Sequence, residues 1–346
     1  MECGRGAAER TFAALAKGPA SEAFEYLQPI LHEDANVHRV VLAWRAWALL
    51  DVAGQEQAHT LLRQSVHFCV GWEQYRLRKR LNPSTLRALL PKLLDQYKLV
   101  GRPLGKRKAE DAWVVRLAET VCGNDRDRAA EAVAAALAEE MSPEDVGEAI
   151  SLAANSLVLG DPGRTKEDDD EGKPEGSVHG DSVGVHASDA ANAWRNIARV
   201  GNEQNTVAGL IVAAYHTAGW SGGMLKQAHP LPDQLEMIKV KDAATLLLDA
   251  EAAIKEKNQA RAAALVHRYG ELGHPPRPAF DLLLRYAVSE DGALHAEKYY
   301  RTVTEEFATT RPAFRWRQLV ALARVTASEY GTPAPGYEEA CRLLKV

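Results

Sequence analysis

Val37-His38 opens a stretch, VHRVVLAWRAWALLDVAGQEQAHTLLRQSVHFCVGW, that ends at Trp72 and returns between Val185 and Trp220 as VHASDAANAWRNIARVGNEQNTVAGLIVAAYHTAGW. Landmarks recur in one order: Trp44-Arg45 with Trp194-Arg195, Gly54-Gln55-Glu56-Gln57 with Gly201-Asn202-Glu203-Gln204, His67 with His216, and Gly71-Trp72 with Gly219-Trp220. A second unit recurs around Arg128 and Arg261, with Pro143 and Pro276 in matching places, and a third, weaker copy of the first unit begins at His295. Repeated units too short to own a core must bury their apolar faces on their neighbours.

Inside these units the apolar residues recur three and four apart, as in Phe24, Leu27, Ile30 and Leu31, and no run shows the strict alternation of a strand. The expected fold is all-α, with repeated helical hairpins forming an α-solenoid or a closed helical array. It divides into a first half over residues 1–159, an acidic flexible insertion loop over 160–184, and a second half with the third copy over 185–346, in one continuous helical domain. The insertion, GDPGRTKEDDDEGKPEGSVHGDSVG, has no apolar face to bury, so removing Lys166–Gly176 is expected to leave stability nearly unchanged.

The balance of 42 basic against 47 acidic side chains gives a formal charge of −5, which lacks the positive field that nucleic-acid binding requires. No segment reaches the roughly 18 to 20 continuous apolar residues that span a bilayer, and a cytoplasmic protein without nucleic-acid or membrane partners is expected. Cys3, Cys69, Cys122 and Cys341 show no metal-knuckle spacing. Ser221-Gly222-Gly223 lacks the lysine and hydroxyl of a phosphate loop.

The repeat concentrates interest on the histidines. His38, His186 and His295 begin successive copies, so they would line one surface or converge on one pocket. Two chemistries follow. In one, the imidazoles act as general acid or base on a phenol, ketone or ester, with Arg45 or Lys298 steadying anionic oxygen. In the other, His38, His186, His295, Asp189, His67 and His216 supply ligands for iron, copper or zinc. The spacing His186-x-x-Asp189 puts both side chains on one helical face.

Three segments carry a family resemblance: Asn36-Val37-His38 with the helix after it, Val185-His186 through Trp194-Arg195, and His295-Ala296-Glu297-Lys298 followed by Glu305. In these the chain resembles the questin oxidase-like family. The resemblance implies an oxidoreductase, an oxidase or monooxygenase of a planar aromatic or polyketide-like small molecule, with NADPH as reductant. The residues it carries over are His38, His186, His295, Lys298 and Arg195. Two other readings remain: a non-catalytic helical-repeat module that binds another protein, and a metal-dependent hydrolase on the same histidines. Homodimerisation is compatible with each.

Overall fold

The computed structural model describes residues 4–169, 174–178, 182–219, 223–290 and 295–346. Cys3, Asp170–Lys173 of the acidic run, Trp220 of the second copy and Ser221-Gly222 after it lie outside the described residues. In chain order the helices are α1 (Arg5–Leu15), α2 (Ala20–Leu31), α3 (Val37–Ala48), α4 (Leu50–Ala53), α5 (Ala58–Lys79), α6 (Leu86–Gln96), α7 (Asp111–Val121), α8 (Arg126–Ala138), α9 (Pro143–Gly160), α10 (Val183–Val200), α11 (Glu203–Ala218), α12 (Pro232–Met237), α13 (Ala243–Lys255), α14 (Gln259–Glu271), α15 (Pro276–Ser289), α16 (His295–Thr309), α17 (Trp316–Glu329) and α18 (Tyr337–Leu344). Two isolated β-bridges apart, every regular element among the described residues is helical, so the fold is an all-α array. None of these helices is long and apolar enough to cross a membrane.

The helix starts explain why the sequence repeats in units. Asp125 and Asn258 precede Arg128 and Arg261 by three residues, and each side-chain oxygen accepts that arginine's backbone N–H at 3.0 Å, capping α8 and α14 alike. Pro143 and Pro276 then open α9 and α15, where the missing amide hydrogen costs nothing. In the second copy of the first unit, Asn202 caps α11 by accepting the Asn205 amide at 2.9 Å. The first copy has Gln55 at that place, too long to cap. There the chain takes Gly54 at φ 95°, then a short 3₁₀ turn over Gln55–Gln57, before α5 starts.

The chain forms two compact units: Met1–Ile150 with Ala190–Gly219, and Ser151–Asp189 with Trp220–Val346. Two of the three boundaries fall inside α9 and α10, the third follows α11, and none falls at the insertion. In the first unit every residue of α11 from Asn205 to Ala218 is buried, and α2, α6, α7 and α8 pack against it. In the second, α17 is buried from Gln318 to Glu329 and is packed by α13, α14, α15 and α16. Each unit therefore has a central helix, and both are second helices of the first repeat unit.

The insertion departs from its expected solvated state. Val178 is fully buried and belongs to the second unit's core, and its N–H donates to the Ser328 hydroxyl at 2.8 Å. The two limbs meet at a neck, where the Arg164 N–H donates to the Ser177 carbonyl at 3.0 Å and the Gly176 N–H to the Arg164 carbonyl at 2.9 Å. Gln259 holds the Gly176 carbonyl at 2.8 Å. Glu167, Asp168 and Asp169 remain exposed, as their charge requires. Val178 was missed because a lone valine in a polar run has no periodicity to read. Two outcomes are expected in urea unfolding: Val178→Ser costs about 2 kcal/mol, whereas Glu167→Ala changes stability by less than about 0.5 kcal/mol.

Candidate functional site

Helix α10 brings His186 and Asp189 into the second unit because of what precedes them. Asp161 accepts the Gly184 N–H at 3.1 Å and the Gly163 N–H at 2.8 Å, tying the start of α10 to the end of α9. Gly184 has no room for a side chain, since a Cβ there would lie 2.6 Å from the Val158 Cα. Close contact with α9 thus fixes the first turn, and His186 sits two residues on. The second contributor is α16, where His295, Lys298, Thr302 and Glu306 recur at three, four and four. At 100° per residue these four fall within about 80° of one face.

The two helices bring four of the expected residues together. The imidazoles of His186 and His295 stand edge to face with centroids 5.9 Å apart, and His186 is buried. One turn further, the fully buried Asp189 carboxylate forms an ion pair with Lys298 Nζ at 2.9 Å and accepts a hydrogen bond from Thr302 Oγ1 at 2.7 Å. The i,i+3 pairs seen in the sequence, His186/Asp189 and His295/Lys298, meet pair to pair.

Around them lies a polar network that sequence reading did not find. Ser151 Oγ donates to Glu306 Oε2 at 2.5 Å, Gln318 Nε2 to Ser151 Oγ at 3.4 Å, and Asn155 Nδ2 to Gln318 Oε1 at 3.2 Å. Arg324 donates to the Val158 and Asp161 carbonyls at 2.5 and 2.6 Å; burial lowers it to about 10, against the Asp161 charge, so it stays protonated near neutral pH. Tyr299 beside Asp189 is wholly buried, and desolvation followed by the Asp189 charge pushes its phenol far above the ordinary value, leaving it a neutral hydroxyl. Only the spacing of Lys298, Thr302 and Glu306 on α16 foreshadowed this network, and it could have been read as a polar stripe. A cavity of about 340 Å³, walled by Leu157, Asp161, Arg164, Ser182, Val183 and Met224, lies at the start of α10; among the described residues its wall does not include His186, Asp189, His295 or Lys298.

The other expected residues stand elsewhere. His38 belongs to the first unit and is exposed on α3, its ring 6.2 Å from Phe68, so it is not a buried pocket residue. His67 is exposed and contacts Glu9 at 3.0 Å, and His216 is buried in α11. Arg45 is half-buried on α3. Among the described residues no group of three or more His, Cys, Asp or Glu is gathered so as to hold a metal ion. The expected six-residue ligand set is therefore not assembled: two of its histidines face solvent, and its carboxylate is taken by Lys298 and Thr302.

Arg195 also has a structural task. It is buried in the first unit and donates to Glu144 Oε1 at 3.2 Å through Nε and 2.6 Å through Nη2, while Arg199 binds the same carboxylate at 2.6 and 2.9 Å. Burial raises the Glu144 carboxyl, but Arg199 and Arg195 together outweigh it and hold it at about 2.

Comparison with protein-family models, curated proteins and solved structures returned no match.

Two tests follow from this geometry. Glu144 has a folded-state value below its unfolded 4.5, so its contribution is complete above pH 4.5 and is lost as pH falls towards 2. The stability gap between wild type and Glu144→Gln, measured by urea unfolding, should therefore narrow from pH 6 to pH 3; a constant gap would contradict the pairing. For the Asp189–Lys298 pair the costs are unequal. Lys298→Met strands a fully buried carboxylate and should cost about 3 kcal/mol, whereas Asp189→Asn leaves an amine that reaches water and should cost about half as much.

Proposed function

We propose that the second unit is an oxidoreductase site that removes a proton from an electron-rich, planar aromatic or polyketide-like small molecule and directs its oxygenation. The observation that carries this reading is the His186–His295 pair at 5.9 Å beside the Asp189–Lys298 ion pair. Imidazole is the side chain whose unperturbed titration lies closest to neutral pH, so one ring can accept a proton while its neighbour returns one. Lys298, ion-paired to Asp189 and itself 19% exposed, can steady a phenolate or enolate oxygen.

NADPH and a metal were both expectations, and neither fits these residues. A nucleotide pyrophosphate asks for uncommitted cations or a glycine-rich helix start. Here Lys298 is a single cation already paired with Asp189, enough for one phenolate oxygen but not for a pyrophosphate, and Arg324 is engaged by two carbonyls. A metal would have to displace Lys298 from Asp189, the carboxylate one turn from the imidazole pair. The balanced reaction needs neither. A doubly benzylic methylene flanked by phenolic rings loses a proton to imidazole, and the delocalised carbanion is oxidised directly by dioxygen. One oxygen atom becomes the new carbonyl, the other leaves as water with both methylene hydrogens, and dioxygen accepts all four electrons.

The test uses 1,8-dihydroxyanthrone with oxygen uptake and quinone formation as readouts, in chelator and without nicotinamide. One dioxygen consumed per quinone formed is expected, at a rate well above buffer, with kcat lowered at least 100-fold in His186→Ala. No acceleration by wild type over a panel of hydroxylated anthrones, or an unchanged rate in His186→Ala, would sink the reading.

A further inference from the structure

The basic run at the end of α5 turns outward. In YRLRKRLNP, Tyr75 to Pro83, only Arg76 is buried: it pairs with Asp34 at 2.8 Å and donates to the Asn82 carbonyl. The chain closes the helix at this point, with Arg80 at φ 52°, its N–H on the Leu77 carbonyl at 3.2 Å and the Leu81 N–H on the Arg76 carbonyl at 3.0 Å. Every residue from Leu77 to Pro83 is exposed. A helical turn exposed on all its sides is a convex tip, and Arg76 holds this one from within.

The tip combines two kinds of side chain. Leu77 is 70% exposed and Leu81 50%, and between them stand Arg78, Lys79 and Arg80, none of them paired with a carboxylate among the described residues. At the base of the tip Tyr75, 40% exposed, stacks on Trp72 at 5.4 Å. Cations suit the negative end of a helix, which accounts for the charge here but not for bare leucines among the charges. Apolar surface of that kind is withdrawn from water only by contact with something apolar.

We infer that the tip of α5 docks on an anionic bilayer surface, with Leu77 and Leu81 entering the boundary between headgroups and acyl chains and the three cations held among the lipid phosphates. Such a surface is anionic above and apolar below, and takes leucine and cation side by side. The convex shape favours lipid over an acidic protein, because a fluid surface closes around a protruding tip, whereas a folded partner needs a matching pocket. The formal charge of −5 on the chain does not oppose the contact. At physiological ionic strength charges are screened beyond about 8 Å, so the bilayer meets the cations of the tip rather than the whole molecule. The contact is peripheral and needs no spanning helix, so the expected lack of a membrane partner, which rested on the absence of a span, does not extend to it. The element lies in the first unit and does not depend on the chemistry proposed for His186 and His295.

The experiment is co-sedimentation of the full chain with vesicles of phosphatidylcholine, alone or with about 30 mol% phosphatidylserine, at about 0.1 M salt. Binding to the anionic vesicles only is expected, and it should weaken as salt is raised. Arg78→Gln with Lys79→Gln should weaken it roughly 25-fold, about fivefold for each charge. Leu77→Ser with Leu81→Ser should weaken it at least about tenfold, with helicity by circular dichroism and Tm unchanged because both side chains are exposed. Lys106→Gln with Lys108→Gln removes the same charge from the chain's other exposed basic run and should change binding less than about twofold. No binding to phosphatidylserine vesicles, equal binding to phosphatidylcholine alone, or an equal loss in the Lys106 and Lys108 variant would each overturn the assignment. Loss on removing Arg78 and Lys79 with none on removing the leucines would overturn it in favour of an acidic protein partner.

Discussion

A helix with no wet face must be enclosed, and two such helices organise this protein. In α11 the residues are mostly small or apolar, so the first unit can surround it with α2, α6, α7 and α8 through side-chain packing alone. The case of α17 is different, because Gln318, Arg324 and Glu329 are buried along with Leu319, Val320 and Val325. Polar groups that cannot reach water must be met inside, and Gln318 and Arg324 find Asn155 and the carbonyls of Val158 and Asp161. The polar interior of the second unit is thus a consequence of where its central helix lies.

The candidate site grows from the same constraint. Once α16 packs against α17, the inner face of α16 meets a region already populated by buried polar groups, and His295, Lys298, Thr302 and Glu306 occupy that face. Asp189 is then a charge whose side chain has no exposure, and its neutralisation depends on a lysine that is itself 19% exposed. Such an arrangement keeps a charge pair close to two imidazoles in a medium that screens poorly, which is the setting in which small movements of a proton carry large electrostatic effects.

Helical class, repeat units and caps were legible because each rests on local chemistry: periodicity, an Asp or Asn three residues ahead of an arginine, a proline at the first helical position. Half of the site was legible for the same reason, since His186 with Asp189 and His295 with Lys298 are one-turn pairs. The equivalence of His38 with these was not a safe guide. A repeat transmits residue identity, but burial depends on the partner helix, and α5 carries Arg63 and Gln64 where α11 is apolar. The first copy accordingly leaves His38 and Leu42 exposed. Arg195 misled for a related reason: its partner Glu144 lies 51 residues away on another helix, and no local pattern announces it.

The neck of the acidic insertion carries a different implication. With Arg164 and Ser177 joined by backbone hydrogen bonds and Val178 set in the core, the two ends of the loop are held whatever lies between them. Closing a longer loop across fixed ends costs only about 0.6 kcal/mol for each doubling of its length. This makes the neck a natural port for grafted sequence: an epitope, a reporter domain or a second binding peptide could be spliced between Thr165 and Glu175 and displayed from a scaffold that does not register the change.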